Sequence, residues 1–368
     1  MRTQFPVSFV PYEQDRIRRP SKLRQNYLQV LLGNKQLKFG LRLTCTVVLF
    51  AILLRSVSWS LLLVKLRQAD AGLLLVGVII GLFGVIVSAY QWQSLLSAEK
   101  IHIDLRRLVN LYLVGIAFNH FLPTGMGGDV VKAYYVGKEG DNHSGSASAV
   151  IMSRVTGFWG MLLISVPTMI ILHSSFKSAL IISFTISCLA MCLALGGIFL
   201  LVTLLSRFTS RWLNKRAFTS ALKIGTTLRN SIARSRTMSA ATLFGMLFHI
   251  TSALNYYCLA SALHINTVPL TFYLVAVPFV SLVSFLPISF NGFGVRESAI
   301  VYIFSILNYW YISPEGSLVL ALLMDVELLL FGLIGGCIYL AMGTWKIKTV
   351  ETNVSVQTGF SMNNSQFN

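Results

Sequence analysis

The sequence predicts an all-α integral membrane protein with about six full transmembrane helices and two re-entrant broken-helix hairpins arranged as inverted repeats. Three observations predict it. Of 368 residues, 55% are hydrophobic and only 12% charged, with a mean hydropathy of +0.69, whereas about 25% of an ordinary soluble domain is charged. The apolar residues come in blocks of about 20, the length a helix needs to cross a hydrocarbon core. Finally, a Phe-Leu-Pro turn followed by glycines and a cation occurs twice, starting at Phe121 and again at Phe285. A water-soluble enzyme is excluded.

Residues 1–42 form a basic N-terminal segment with nine cations against Glu13 and Asp15. The first span, 43–64, follows them and is expected to act as its own insertion signal, since no small-residue cleavage pattern comes after it. A second span covers 71–93. Residues 206–238 carry eight cations and no acid. Positive segments stay on the cytoplasmic side, so residues 1–42 and the basic linker 206–237 are expected inside. The N- and C-termini are placed in the cytoplasm of a cell in whose inner or plasma membrane the chain resides. Within the linker, Phe218, Leu222, Gly225, Leu228 and Ile232 repeat at helical spacing beside the cations. This pattern suits either an interfacial helix on an anionic inner leaflet or a soluble linker. The net charge of +17 is therefore read as an orientation signal, and no nucleic-acid partner is expected.

Spans at 145–172 and 178–205 complete a first repeat, 43–205, and spans at 238–263 and 317–343 bound a second, 238–343. Counting crossings requires residues 105–140 to begin and end on the cytoplasmic side, although LVNLYLVGIAFNHFL at 108–122 is apolar. This segment must enter the membrane and turn back at PTGMGGDVVK, an arrangement tolerated where broken backbone lines a protein or water-filled cavity. FLPTGMGGDVVK and FLPISFNGFGVRE align without a gap, matching Gly128 with Gly292, Val131 with Val295 and Lys132 with Arg296. In each, proline ends the incoming helix, glycines allow a tight turn, and the cation opens the outgoing helix. Three full spans separate the copies, so the second enters from the opposite face, in along 270–286 and out along 297–311. Residues 344–368, rich in Asn, Ser and Gln, are expected to be a polar disordered tail.

The pair FLPTGMGGDVVKAYYV and FLPISFNGFGVRESAIVYIF, with SASAVIMSRVTGFWG between them, resembles the transmembrane domain of the lysylphosphatidylglycerol synthase/flippase family, which includes the membrane half of the bacterial multiple peptide resistance factor. The likeness spans roughly residues 40–343. It implies a role in moving lipids between leaflets. By position it also implies a substrate site of Pro123, Gly125, Gly128, Asp129 and Lys132 in the first loop, Arg154 in the next helix, and Pro287, Gly292, Gly294, Arg296 and Glu297 in the second loop. Large family members append a soluble aminoacyl-transferase domain. Only 25 residues follow the last span here, so lysine transfer to a lipid is not implied.

Eight charges fall inside the predicted membrane region: Arg55, Lys132, Arg154 and Arg296, with Asp129, Glu297, Asp325 and Glu327. Each costs at least ~2.5–3.5 kcal/mol unpaired, which makes such residues functional candidates by default. Lys132, Arg154 and Arg296 are expected to line one cavity and hold a lipid phosphate, the four acids balancing them when it is empty. Asp325 and Glu327 are the candidates for carrying a coupling proton. Simple ion pairs fastening the repeats are the competing reading, the stronger one for Arg55. For Asp129, capping the outgoing helix is an equal alternative.

No metal or cofactor site is expected. The six histidines lack paired metal spacing, the five cysteines form no CxxC, and GMGGD has neither the GK[ST] of a P-loop nor a βαβ setting. Trp59, Tyr90, Trp92, Trp310 and Tyr311 sit near predicted span ends as interfacial anchors. The resulting expectation is a translocase, not an enzyme, for an anionic phospholipid or polyprenyl-phosphate-linked headgroup. Two alternatives from other classes stand beside it: a glycosyl- or acyl-transferase using Asp129 or Glu297 as base, and a non-transporting scaffold for lipid-synthesis enzymes. The expected partners are a membrane lipid as substrate, anionic inner-leaflet lipids against the basic segments, and a second copy or a lipid-synthesis enzyme.

Overall fold

The computed structural model describes residues 64–65, 67–121, 127–171, 173, 178, 181–189, 191–193, 197, 235–284, 289, 292–305 and 314–362. Eight helices organise them: α1 (Ala71–Ala98), α2 (Leu105–Phe121), α3 (Gly127–Glu139), α4 (His143–Ile171), α5 (Ser235–Ala262), α6 (Leu270–Ser284), α7 (Val295–Ser305) and α8 (Pro314–Met362). There is no strand among the described residues. Four helical stretches are long and apolar enough to cross a bilayer: Ala71–Ala98, His143–Ile171, Ser235–Ala262 and Glu315–Met342. Together with the apolar α6, these make the chain a multi-pass membrane protein. The expected span 43–64, apart from Val64, and Arg55 lie outside the described residues, as does much of 178–205, of which 178, 181–189, 191–193 and 197 are described as helical.

Local chemistry sets the helix ends. Asp70 caps α1, its Oδ1 accepting from the amides of Gly72 at 2.8 Å and Leu73 at 3.1 Å. Asn142 opens α4 the same way, accepting from the Gly145 amide at 2.8 Å. Asn119, on the incoming helix α2, accepts from the Gly128 amide at 2.7 Å and so satisfies the start of α3 from outside. Pro314 occupies the first position of α8, where its missing N–H costs nothing. In front of α7, Gly292 and Gly294 adopt φ of 81° and 82°, left-handed conformations that glycine reaches without penalty.

The eight helices form two sets of four in the same order. Helices α1 and α5 are both 28 residues long and pack lengthwise against each other. Gly77 lies against Leu259 and Asn255, Gly84 against Thr251 and Phe248, and the Gln91 amide donates to the Ala241 carbonyl at 3.1 Å. Numbers rise on one helix as they fall on the other, so the pair is antiparallel. The fourth helix of each set leans on the second helix of the other: Gly335 and Gly332 of α8 press against Leu113 and His120 of α2, while Ser165 of α4 donates to the Leu274 carbonyl of α6 at 3.1 Å. Small residues at such crossings let backbones approach closely, which is how helices associate when the surroundings are as apolar as they are. Large apolar side chains point outward instead of being hidden, including Leu75, Ile79, Trp159, Leu163, Val326 and Leu333, as a lipid-facing surface requires.

Two expectations change. Helix α8 does not stop at 343 but continues to Met362. No proline interrupts residues 344–362, and extending an existing helix avoids the nucleation cost. Trp92 is not an interfacial anchor, being 1% exposed; Tyr90 is half-exposed and stacks on Phe244 of α5 with ring centroids 5.9 Å apart. Trp59, Trp310 and Tyr311 lie outside the described residues.

Candidate functional site: two intramembrane charge clusters

The membrane charges collect in two clusters, one in each set of helices. In the first, Asp129 of α3 sits between two cations. Its Oδ1 meets Lys132 Nζ at 2.8 Å, and its Oδ2 accepts from Arg154 of α4, from Nη2 at 2.6 Å and Nε at 2.9 Å. Lys132 is only 5% exposed and its ammonium lies 3.8 Å from the Tyr112 ring centroid and 5.5 Å from that of Trp92. Aromatic faces attract a desolvated cation, so this lysine is held from both sides. The Arg154 side chain is 45% exposed, beside the outward-facing Val130, Tyr134 and Ile151. It is thus the more exposed cation of this cluster. The close return of α3 onto α2 is fixed at Gly128, where an added Cβ would lie 2.0 Å from the Gly115 carbonyl oxygen.

In the second cluster, Arg296 of α7 pairs with Asp325 of α8 and stands 5.7 Å from the Phe293 ring. Glu297, with no exposed surface, accepts from the Gly294 amide and thereby caps the start of its own helix. Glu327 is buried two residues beyond Asp325, both its oxygens accepting from the Asn255 amide of α5 at 2.9 and 3.0 Å. Phe293 also meets the edge of His120 on α2, with ring centroids 6.2 Å apart, so the second loop touches the end of the first hairpin.

The clusters are related residue by residue. Gln91 and Asn255 each stand 20 residues after the start of α1 and α5, and Gly81 and Gly245 each stand 10 after. Arg154 and Asp325 each stand 11 residues after the start of α4 and α8, Thr156 and Glu327 each 13 after. The contacts match: Gln91 donates to Thr156 Oγ1 at 3.0 Å as Asn255 donates to Glu327. Gly245 makes room for Gln91 and Thr156 as Gly81 makes room for Asn255 and Glu327. One feature is reversed. In the first set Asp129 and Lys132 are on the short helix and the long helix brings a cation, Arg154; in the second Arg296 and Glu297 are on the short helix and the long helix brings an acid, Asp325.

Of the residues singled out in the sequence, the structure brings Asp129, Lys132 and Arg154 together, and separately Arg296, Glu297 and Asp325. It does not gather the three cations around one cavity, because each is held by an acid of its own set and Lys132 is enclosed by rings. Gly128, Gly292 and Gly294 shape the turns. Pro123, Gly125 and Pro287 lie outside the described residues. Capping α3, the equal alternative for Asp129, falls to Asn119, which accepts from the Gly128 amide. Sequence reasoning missed Trp92, Tyr112, Asn119, Gln91 and Asn255, which are uncharged and sit in apolar runs. The shared spacing of Gln91 and Asn255 was the one signal available for them. Among the described residues no group of three His, Cys, Asp or Glu side chains is placed to hold a metal ion.

No curated protein and no solved structure matches the chain. The family model described as the lysylphosphatidylglycerol synthase TM region matches residues 37–336, a stretch that takes in both hairpins and both clusters. With most of its length covered by that model, the chain belongs to the lysylphosphatidylglycerol synthase transmembrane-region family, a family linked to lipid handling.

Proposed function

We propose that the chain is a lipid translocase, not an enzyme, which carries a phosphate-bearing headgroup of an anionic phospholipid or polyprenyl-phosphate-linked lipid between leaflets. The observation that carries this reading is the Asp129–Arg154 pair. A half-exposed guanidinium on α4 stands beside the start of α3, the outgoing helix of the first hairpin, and a buried acid that is itself anchored by Lys132 holds it there. Arginine recognises phosphate through a planar fork of donors. The N-terminus of α3 adds the positive end of its dipole nearby. Arg154 is assigned to the phosphate, Asp129 and Lys132 to holding it, and Arg296 with Glu297 and Asp325 to the corresponding place in the second set. Acyl chains stay in the surrounding lipid, against outward faces such as Val130 and Ile151.

The two sets act as inverted-topology repeats that rock against one another about the α1–α5 contact. This is supported by their equal helix order, the antiparallel α1–α5 pairing and the matched Gln91 and Asn255 contacts, the pattern of transporters whose broken helices meet near the midplane. The basic segments 1–42 and 206–237 face anionic lipids of the inner leaflet of a cell membrane, with both termini cytoplasmic, and a second copy or a lipid-synthesis enzyme is the proposed protein partner. Lipid extracted from purified protein and identified by mass spectrometry tests the assignment. Wild type should retain one phosphate-bearing lipid class enriched over the membrane average, and Arg154→Gln should lose the enrichment. Equal lipid complements in the two proteins would refute it.

A further inference from the structure

The second cluster borders a cavity of about 360 Å³. Among the described residues its wall is formed by apolar side chains such as Phe293, Val319, Leu322, Val326 and Leu329, and by one charged residue, Asp325. Val326 and Leu329 are also exposed on the outward side of α8, so an occupant enters from the bilayer. Size and lining fit a ligand pocket, in which apolar walls hold the body of the ligand and a few polar groups fix its orientation. A chamber this apolar does not suit water, which needs two to four polar partners.

The polar end of that occupant follows from the ion pair on the wall. Arg296 meets Asp325 through Nη2 and Oδ1. Arg296 Nε, a donor, and Asp325 Oδ2, an acceptor, are both buried without a partner among the described residues, and Asp325 as a whole is 9% exposed. An anionic end would meet the Asp325 carboxylate and a cationic end the guanidinium behind it, so the pair favours neither. A hydroxyl is neutral and both donates and accepts, so one such group serves Oδ2 and Nε together. We propose that the cavity beside the Arg296–Asp325 pair binds a lipid alcohol, an amphiphile with a neutral hydroxyl on an apolar chain. The hydroxyl donates to Asp325 Oδ2, the near part of the chain fills the cavity, and the rest stays in lipid outside Val326 and Leu329. Phe293, held between the left-handed Gly292 and Gly294, forms the wall that also touches His120 and Arg296, so the occupant sits where the second loop meets the first hairpin. This deepens the place given to the second cluster in the translocase reading and rests on that reading for its use in transport, not for binding.

Photolabelling of the full chain in lipid nanodiscs tests the site. The probe is a long-chain alcohol carrying a diazirine close to its hydroxyl, compared with its methyl ether, which keeps the acceptor and loses the donor. The alcohol should label Phe293 or the α8 positions 319–329, saturably and about tenfold more than the ether, since the ether leaves Oδ2 without a donor. Val326→Trp, on the exposed rim and away from the ion pair, should block the labelling, and Asp325→Asn should shrink the preference for the alcohol. If Asp325→Asn fails to fold, the ether and Val326→Trp decide. Equal labelling by alcohol and ether would overturn the proposal and fit a pair that closes on itself, Nε onto Oδ2. Labelling undiminished in Val326→Trp would also overturn it. So would displacement of the alcohol by dodecyl phosphate or dodecylamine more readily than by unlabelled alcohol; the phosphate result would leave the translocase reading intact. Specific alcohol labelling of a protein that moves no lipid would keep the site and remove only the translocase reading.

Discussion

Replacing Asp129 with asparagine keeps the shape of the first cluster and removes its only acid. Lys132, whose ammonium lies 2.8 Å from Asp129 with its side chain 7% exposed, then keeps only the Tyr112 and Trp92 rings. Breaking a buried pair by neutralising one partner costs about 3–5 kcal/mol, and the rings, worth about 0.5–2 kcal/mol, are present before and after, so they offset none of it. Arg154 is 45% exposed, so its long side chain can turn toward the headgroup level and its share of the loss is smaller than that of Lys132. The expected destabilisation is therefore about 3 kcal/mol, roughly a hundredfold in the folded-to-unfolded ratio, and it comes mainly from Lys132. Equilibrium unfolding in mixed SDS–detergent micelles, followed by tryptophan fluorescence, measures it. Asp129→Asn combined with Lys132→Met should recover most of the loss, since the orphaned charge is gone. Asp129→Asn within about 0.5 kcal/mol of wild type, or a double variant no more stable than the single, would refute the reasoning.

Three further outcomes follow from the same contacts. Gly128→Ala forces a Cβ to 2.0 Å from the Gly115 carbonyl oxygen, and separating α2 from α3 should cost about 1–3 kcal/mol, read as a lower melting temperature in detergent. Gly245→Ala, whose Cβ meets backbone atoms at 3.0 Å, should lose clearly less. Arg296→Gln and Asp325→Asn should each destabilise the second cluster, while the double variant should be more stable than the Arg296 single, because a buried charge left alone costs more than a pair removed; a double-mutant cycle measures the coupling. Asn255→Leu should destabilise the α5–α8 contact by about 1–3 kcal/mol, since it leaves the buried Glu327 carboxyl without a donor, and Glu327→Leu on that background should restore part of it.

Much of this was legible in the sequence because membranes simplify the rules. Apolar length located the described spans to within a few residues, and the proline and glycine loops marked the hairpins. Every charge inside the membrane region that the structure describes proved to be paired or hydrogen-bonded. What sequence could not supply was the partition of those charges. Lys132 and Arg296 align at a spacing of 164 residues, but Arg154 and Asp325 correspond only at 171, because the start of α8 lies seven residues farther from Arg296 than the start of α4 lies from Lys132. A gapless comparison therefore hides their equivalence and the reversal of their signs. Gln91 and Asn255 carry no charge that marks them in an apolar run, although each needs a hydrogen-bond partner once buried. Trp92 was read as an anchor from its position near a span end. Its role beside Lys132 depends on α3 returning across α2, a contact made in three dimensions only.

The most direct measurement of the central claim is headgroup accessibility in sealed vesicles holding the purified chain and a fluorescent phosphate-bearing lipid, with a membrane-impermeant quencher added outside. The account predicts that wild-type vesicles lose nearly all of their fluorescence, while vesicles carrying folded Arg154→Gln lose only the outer-leaflet half, at least tenfold more slowly beyond it. Wild-type vesicles that stop at the outer-leaflet half, or an Arg154→Gln protein as fast as wild type, would contradict it.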